Sequence, residues 1–292
     1  MVEESGLPAG VINIVTGRGS VIGNEMAGSP KVDIVSVTGS VSAGESIMKA
    51  AANNITKVSL ELGGKAPAIV FPDADLEASA QWILDSRIGN NGQICNNAER
   101  VYVHKDIKKE FTDILLRKFE AVKVGDPCKD HTVDMGPLVE KRALESVEAK
   151  VENAIKQGAK VLCGGHRVGD KGYFYAATLL DNCTQDMDII HEETFGPVLP
   201  IVEFEDADQV IAWANDVEYG LASSVFTKDI DTAAKVTRGL EFGETYINRE
   251  HFEAMQGFHA GVKKSGIGGA DGKHGVEEYL VTHVTYLDTH YE

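Results

Sequence analysis

Lys57-Val58-Ser59-Leu60-Glu61-Leu62-Gly63-Gly64-Lys65-Ala66-Pro67-Ala68-Ile69-Val70-Phe71 sets two short apolar runs, Lys57 to Leu62 and Ala68 to Phe71, on either side of a glycine pair. Runs of this length, rich in β-branched and apolar residues, suit strands covered on both faces. Upstream, Val11 to Val15 and Asp33 to Thr38 have the same character, and the first three runs start about 22 residues apart. That spacing fits strand, helix, strand crossovers and therefore a parallel sheet, so the fold class is α/β.

Downstream, Asp73 and Asp75 give a helix start before the amphipathic run Leu76 to Ser86, and further helices are expected near 106–122 and 138–157. Strand-like runs at 160–163, 198–204, 220–227 and 244–248 alternate with helical stretches near 206–215 and 229–239. This predicts a second α/β unit, with the boundary placed at Gly63-Gly64. The expected division is 1–62, 63–262 and a tail, 263–292. The glycines of Ser265 to Gly272 follow no strand and read as a loop.

The 292 residues carry a net charge of −17, with 43% hydrophobic and 25% charged side chains. That is the composition of a globular protein of roughly two domains. The acidic balance repels a phosphate backbone, and the basic clusters are only pairs such as Lys108-Lys109, so nucleic acid is an unexpected partner. No run reaches the roughly 18 apolar residues of a membrane span, and the opening MVEESGLPAG is acidic where a signal peptide is basic, so the expected compartment is the cytoplasm. Cys95, Cys128, Cys163 and Cys183 form no CxxC pair, which argues for reduced thiols and against a metal site.

Several segments can carry chemistry. Gly17 to Gly23 and Gly39-Ser40-Val41-Ser42-Ala43-Gly44 each follow a strand-like run and lead into a helix. Glycine there lets a phosphate approach the helix N-terminus, although a strand-to-helix turn calls for glycine in any case. Cys95 sits in the polar turn Asn90-Asn91-Gly92-Gln93-Ile94-Cys95-Asn96-Asn97, where surrounding amides can stabilise a thiolate. Glu61 is a carboxylate at the end of an apolar strand. Burial would raise its pKa toward the range of a general base, whereas a strand end facing water would leave it inert. Glu192 to Pro197 reads as a solvated loop with Phe195 in the core, and a lone histidine such as His259 is often structural.

Taken together, Leu60-Glu61-Leu62-Gly63-Gly64-Lys65, then Gly92-Gln93-Ile94-Cys95 with its cysteine 34 residues after the glutamate, then Glu192-Glu193-Thr194-Phe195-Gly196-Pro197-Val198, resemble the aldehyde dehydrogenase family in order, spacing and sequence. Gly243 to Asn248, Phe252 to Gly261 and Lys264 to Gly275 look most like its lactaldehyde/glycolaldehyde branch, although Val262 replaces a bulkier aromatic. The resemblance implies a Rossmann-like catalytic domain joined to the second half of a parallel-sheet cofactor domain. It implies NAD, or NADP, as cofactor and a small hydroxyaldehyde as substrate, oxidised to the acid through a Cys95 thiohemiacetal and thioester that Glu61 helps to hydrolyse.

By the same resemblance Gly39, Ser40, Leu62, Glu193 and Phe195 contact the cofactor, while Asn96 and His259 face the substrate. It further implies that the chain is the C-terminal part of such an enzyme. The family's oxyanion asparagine and adenosine-binding groups have no counterpart in this sequence, and the alternative is a weakly active or silent fragment. A terminal strand near Val281 to Leu287 would pair with a partner subunit in a homo-oligomer.

Overall fold

In the computed structural model the described residues are 3–249 and 251–289, so Met1 and Val2 of the acidic opening and the last three residues of the tail lie outside them. In chain order the helices are α1 (Gly19–Ala27), α2 (Val41–Ala51), α3 (Leu76–Ile88), α4 (Lys108–Glu120), α5 (Lys141–Gln157), α6 (Asp188–His191), α7 (Ala207–Asn215), α8 (Ile230–Gly239) and α9 (Gly272–Glu277). The strands are β1 (Ile34–Thr38), β2 (Lys57–Glu61), β3 (Ala66–Val70), β4 (Ala98–His104), β5 (Lys160–Cys163), β6 (Thr178–Asp181), β7 (Val198–Phe204), β8 (Tyr219–Gly220), β9 (Ala222–Phe226), β10 (Glu244–Ile247), β11 (Val262–Lys263) and β12 (Gly266–Ile267).

They form a three-stranded sheet, β1-β2-β12, and a seven-stranded sheet, β10-β9-β3-β4-β7-β6-β5, with β8 and β11 as a small pair. Every pairing in the large sheet is parallel except β5 with β6. Alternation along each strand divides the core between the two faces. Ile69, Tyr102, Val202 and Val225 pack with Leu144, Val147 and Val151 of α5 and with Val236 of α8. Their neighbours Ala68, Val70, Val101 and Val103 pack against Ile83 of α3 and Phe111, Leu115 and Phe119 of α4. The small sheet has its own core of Ala27, Val35, Ile47, Ala51, Leu60 and Leu62. Among the described residues no helix is long and apolar enough to cross a membrane.

Three expectations need correction. Val11 to Val15 is not a strand: a turn at Pro8 to Val11 precedes it, and Ile14 is 86% exposed. A strand exists through its ladder, and this run forms none in the described residues. Val281 to Leu287, whose expected pairing is with another subunit, has no regular structure in the single chain, with Val281 95% exposed. Conversely, the supposed loop at Ser265 to Gly272 contains β12, antiparallel to β2, with Gly266 opposite Glu61. A Cβ at Gly266 would collide with the Leu60 carbonyl, so glycine permits this close approach. Finally, Phe195 is no core residue: it is 42% exposed at φ +47°.

Candidate active site

The end of β2 is fixed from two sides. Gly39 N–H donates to the Glu61 carbonyl at 3.0 Å, and Leu62 N–H donates to Ser265 O at 2.8 Å. The Ser265 hydroxyl donates to Gly63 O at 2.7 Å. Glu61 is thereby held in the interior, and its carboxylate oxygens have no hydrogen-bond partner. Burial pushes its pKa up to about 7 against the pull of His259, with Glu244 and Asp271 adding repulsion.

Cys95 lies between α3 and β4, after a left-handed stretch of Asn90, Asn91 and Gly92. The buried Arg87 holds this turn by donating to Gly92 O at 2.8 Å, Ala98 O at 2.9 Å and Gly196 O at 2.5 Å. A Cβ at Gly64 would strike the Cys95 carbonyl. The glycine pair after Glu61 is thus where the backbone passes the Cys95 segment.

His259 completes the group. Its Nδ1 lies 2.9 Å from Glu244 Oε1 and its Nε2 3.6 Å from Glu61 Oε2. Hydrogen bonds to Cys95 and to Glu244 push its pKa up to about 11. Burial opposes the charge on Glu244, but hydrogen bonds from His259 and from Tyr246, at 2.6 Å, hold its carboxyl below the ordinary value. Asn96 is buried next to the thiol and donates to Glu253 Oε2 at 2.7 Å.

A cavity of about 770 Å³ opens beside Cys95, and Gly39, Ser40, Leu62, Glu193 and Phe195 all line it. Ser40 caps α2 by accepting from Ala43 N–H at 3.3 Å. Glu193 Oε1 accepts from Gly64 N–H at 2.9 Å, and burial, followed by the neighbouring Glu99, pushes its pKa up to about 7. Of the residues singled out in the sequence, six therefore border one cavity, while Glu61, Asn96 and His259 gather behind the thiol.

Sequence reasoning missed the supports. Buried Glu99 accepts from Thr194 N–H at 3.0 Å and Phe195 N–H at 3.2 Å, and pairs with Lys65 at 2.6 Å and Arg87 at 3.0 Å. Burial works against its charge, but the two cations outweigh it and hold the carboxyl far below the ordinary value. Glu99-Arg100 inside the apolar strand Ala98 to Val103 was the available signal, as were Glu244 and Tyr246 two apart on one strand face.

The model of the family described as "Aldehyde dehydrogenase family" matches residues 1–285. The chain belongs to the aldehyde dehydrogenase family. It is 58% identical over 289 residues to the lactaldehyde dehydrogenase of Escherichia coli (strain K12), covering 99% of this chain and 60% of that protein. The crystal structure of lactaldehyde dehydrogenase from Escherichia coli superposes with a TM-score of 0.96 at 59% identity, over 98% of this chain and 60% of that one. A 3,6-anhydro-L-galactose dehydrogenase solved in complex with NAP gives a TM-score of 0.93 at 50% identity, over 96% of this chain and 59% of that one. This aldehyde dehydrogenase chain spans about 60% of the length of the curated relatives it matches.

Proposed function

We propose that the chain carries the chemistry of a dehydrogenase that oxidises a small hydroxyaldehyde, such as lactaldehyde or glycolaldehyde, to its carboxylic acid with NAD. The observation that carries this reading is the convergence of Cys95 and Glu61, with His259 between them, at the edge of a cavity bordered by Glu193 and the start of α2. Residues 1–62 supply the second half of the cofactor unit and residues 63–262 the catalytic unit.

The residues present suit a dinucleotide. Gly39 and Ser40 bring the amides and the positive end of α2 to the cavity, where a pyrophosphate would sit. A Cβ at Gly63 would come within 2.6 Å of the Glu193 carboxylate, so the acid lies close over the backbone at the cavity wall, placed to hold ribose hydroxyls with Leu62 and Phe195 packing alongside. When bound, the nicotinamide supplies the hydride acceptor.

Cys95 Sγ attacks the aldehyde carbon, the carbonyl π pair moves to oxygen, and a thiohemiacetal forms. After oxidation the carbon is a thioester. Glu61, ionised above about pH 7, takes a proton from water. The resulting hydroxide adds to the thioester and the sulfur leaves, releasing the acid. Asn96, fixed by Glu253, and His259 give the substrate hydroxyl polar partners.

Steady-state NADH formation from glycolaldehyde and lactaldehyde tests the reading, with NADP as the second cofactor. Turnover that Cys95→Ala abolishes supports it, and an unchanged rate in that variant refutes the nucleophile. No turnover from a chain whose Cys95 still reacts with iodoacetamide would favour a silent fragment instead.

A further inference from the structure

Both carboxylate oxygens of Glu61 are buried without a hydrogen-bond partner, yet a histidine faces them. His259 Nε2 lies 3.6 Å from Glu61 Oε2, with the two side chains only 11% and 10% exposed. The ring is held in this pose. Its main chain exchanges hydrogen bonds with Ala270 at 3.0 and 2.7 Å, and its Nδ1 lies 2.9 Å from Glu244 Oε1. The second oxygen of Glu244 accepts from the Tyr246 hydroxyl at 2.6 Å. A carboxylate fixed on one ring nitrogen favours the protonated ring and sets the direction of the other N–H.

The 3.6 Å gap is longer than a good N–H···O hydrogen bond but within the range at which an opposite charge shifts a pKa. Glu99 gives the contrast: Lys65 at 2.6 Å and Arg87 at 3.0 Å hold it ionised far below the ordinary value, which makes it a poor base. His259 instead acts on Glu61 through its charge and occupies neither oxygen.

We propose that His259, anchored by Glu244, is a positioning residue for Glu61: its fixed positive charge keeps that carboxyl ionised, and so able to take a proton from water, when the Cys95 thioester is hydrolysed. In that step an O–H bond of water breaks and its proton goes to a Glu61 oxygen. The freed electron pair bonds to the thioester carbon, and sulfur leaves with the pair of the C–S bond. His259 neither gains nor loses a proton. The titratable groups acting on Glu61 are His259, Glu244 of β10 and Asp271 at the start of α9. Those acting on His259 are Cys95, Glu244 and Glu61, and those acting on Glu244 include Tyr246 and His251. Without His259, burial and the two carboxylates remain around Glu61, and all of them favour its protonated form. The inference rests on Cys95 and Glu61 having the roles proposed above.

The test needs no cofactor. Cys95 of the full 292-residue chain is acetylated with p-nitrophenyl acetate, and loss of the acetyl group from its peptide is followed by mass spectrometry across pH. In wild type the rate should rise through about pH 7. His259→Gln should move that rise upward by at least about one pH unit, so that hydrolysis at about pH 6 slows about tenfold while the rates converge above the shifted midpoint.

An unmoved midpoint, or a loss of equal size at every pH, overturns the inference. Glu61→Gln separates the two readings. If it removes the rise while His259→Gln leaves the rise in place, only the inference falls; if it leaves the rise intact, the base assignment falls as well. Ring-nitrogen NMR of the wild-type chain is free of folding effects: His259 should stay doubly protonated through about pH 8, and a neutral ring there overturns the inference. Glu244→Gln should lower the pH at which the ring titrates, and an unchanged midpoint overturns the part given to Glu244.

Discussion

Glu61 and Glu99 are both buried carboxylates, and they behave in opposite ways. Glu61 has a histidine near it but no hydrogen-bond donor, so desolvation wins and its pKa climbs to about 7. Glu99 has Lys65, Arg87 and two backbone amides, so it stays ionised. Withholding donors lifts a buried carboxylate into the range where a base can work, and supplying them keeps it ionised. Thioester hydrolysis should accordingly rise with pH through about 7 as Glu61 loses its proton. Glu61→Gln should remove that dependence and leave a covalent acyl group on Cys95, which intact-protein mass spectrometry would detect. Glu99→Gln should cost about 3 to 5 kcal/mol of stability, because it strands two buried cations, and denaturant titration measures this.

At the scale of elements, β12 is two residues long and yet helps to fix the site. It pairs with β2 opposite Glu61, and its register depends on the absence of a side chain at Gly266. Gly266→Ala should force these strands apart, cost about 1 to 3 kcal/mol, and lower the rate of the step that uses Glu61 more than it lowers Cys95 alkylation; denaturation and the two rates check it. Most helices and several strands were legible, because α4, α5, α7 and α8 carry their apolar residues at helical spacing, β9 is apolar or small and β7 is apolar but for Glu203; β4, as long as β7, was not among the expected strands, since Glu99 and Arg100 interrupt its apolar run. What local pattern misreads is pairing. Val11 to Val15 looks like a strand and has no ladder, whereas Gly266-Ile267 looks like a loop and has one.

Across the whole molecule, Glu61 and Glu193 make stability depend on pH with a definite sign. Both pKa values rise from 4.5 to about 7 on folding, so the folded chain holds these protons more tightly than the unfolded one. Their stabilisation is complete below about pH 4.5 and is lost as pH rises through about 7. Glu193→Gln, which keeps an oxygen for Gly64 N–H, should melt close to wild type at about pH 5 and a few degrees above it at about pH 8, as calorimetry can record.

The sequence alone determined the α/β class, most of the helices, several of the strands, the acidic net charge and the motifs whose order and spacing mark the family. Those follow from residue type and short-range periodicity, which act within a few residues of chain. Only the tertiary structure decided that Glu61 lacks hydrogen-bond donors, that Glu244 fixes His259 beside Glu61, that Glu99 anchors the Glu193 segment, and which apolar runs find a ladder. Desolvation, ion pairing and strand pairing depend on neighbours distant in the chain, and their identity exists only once it has folded.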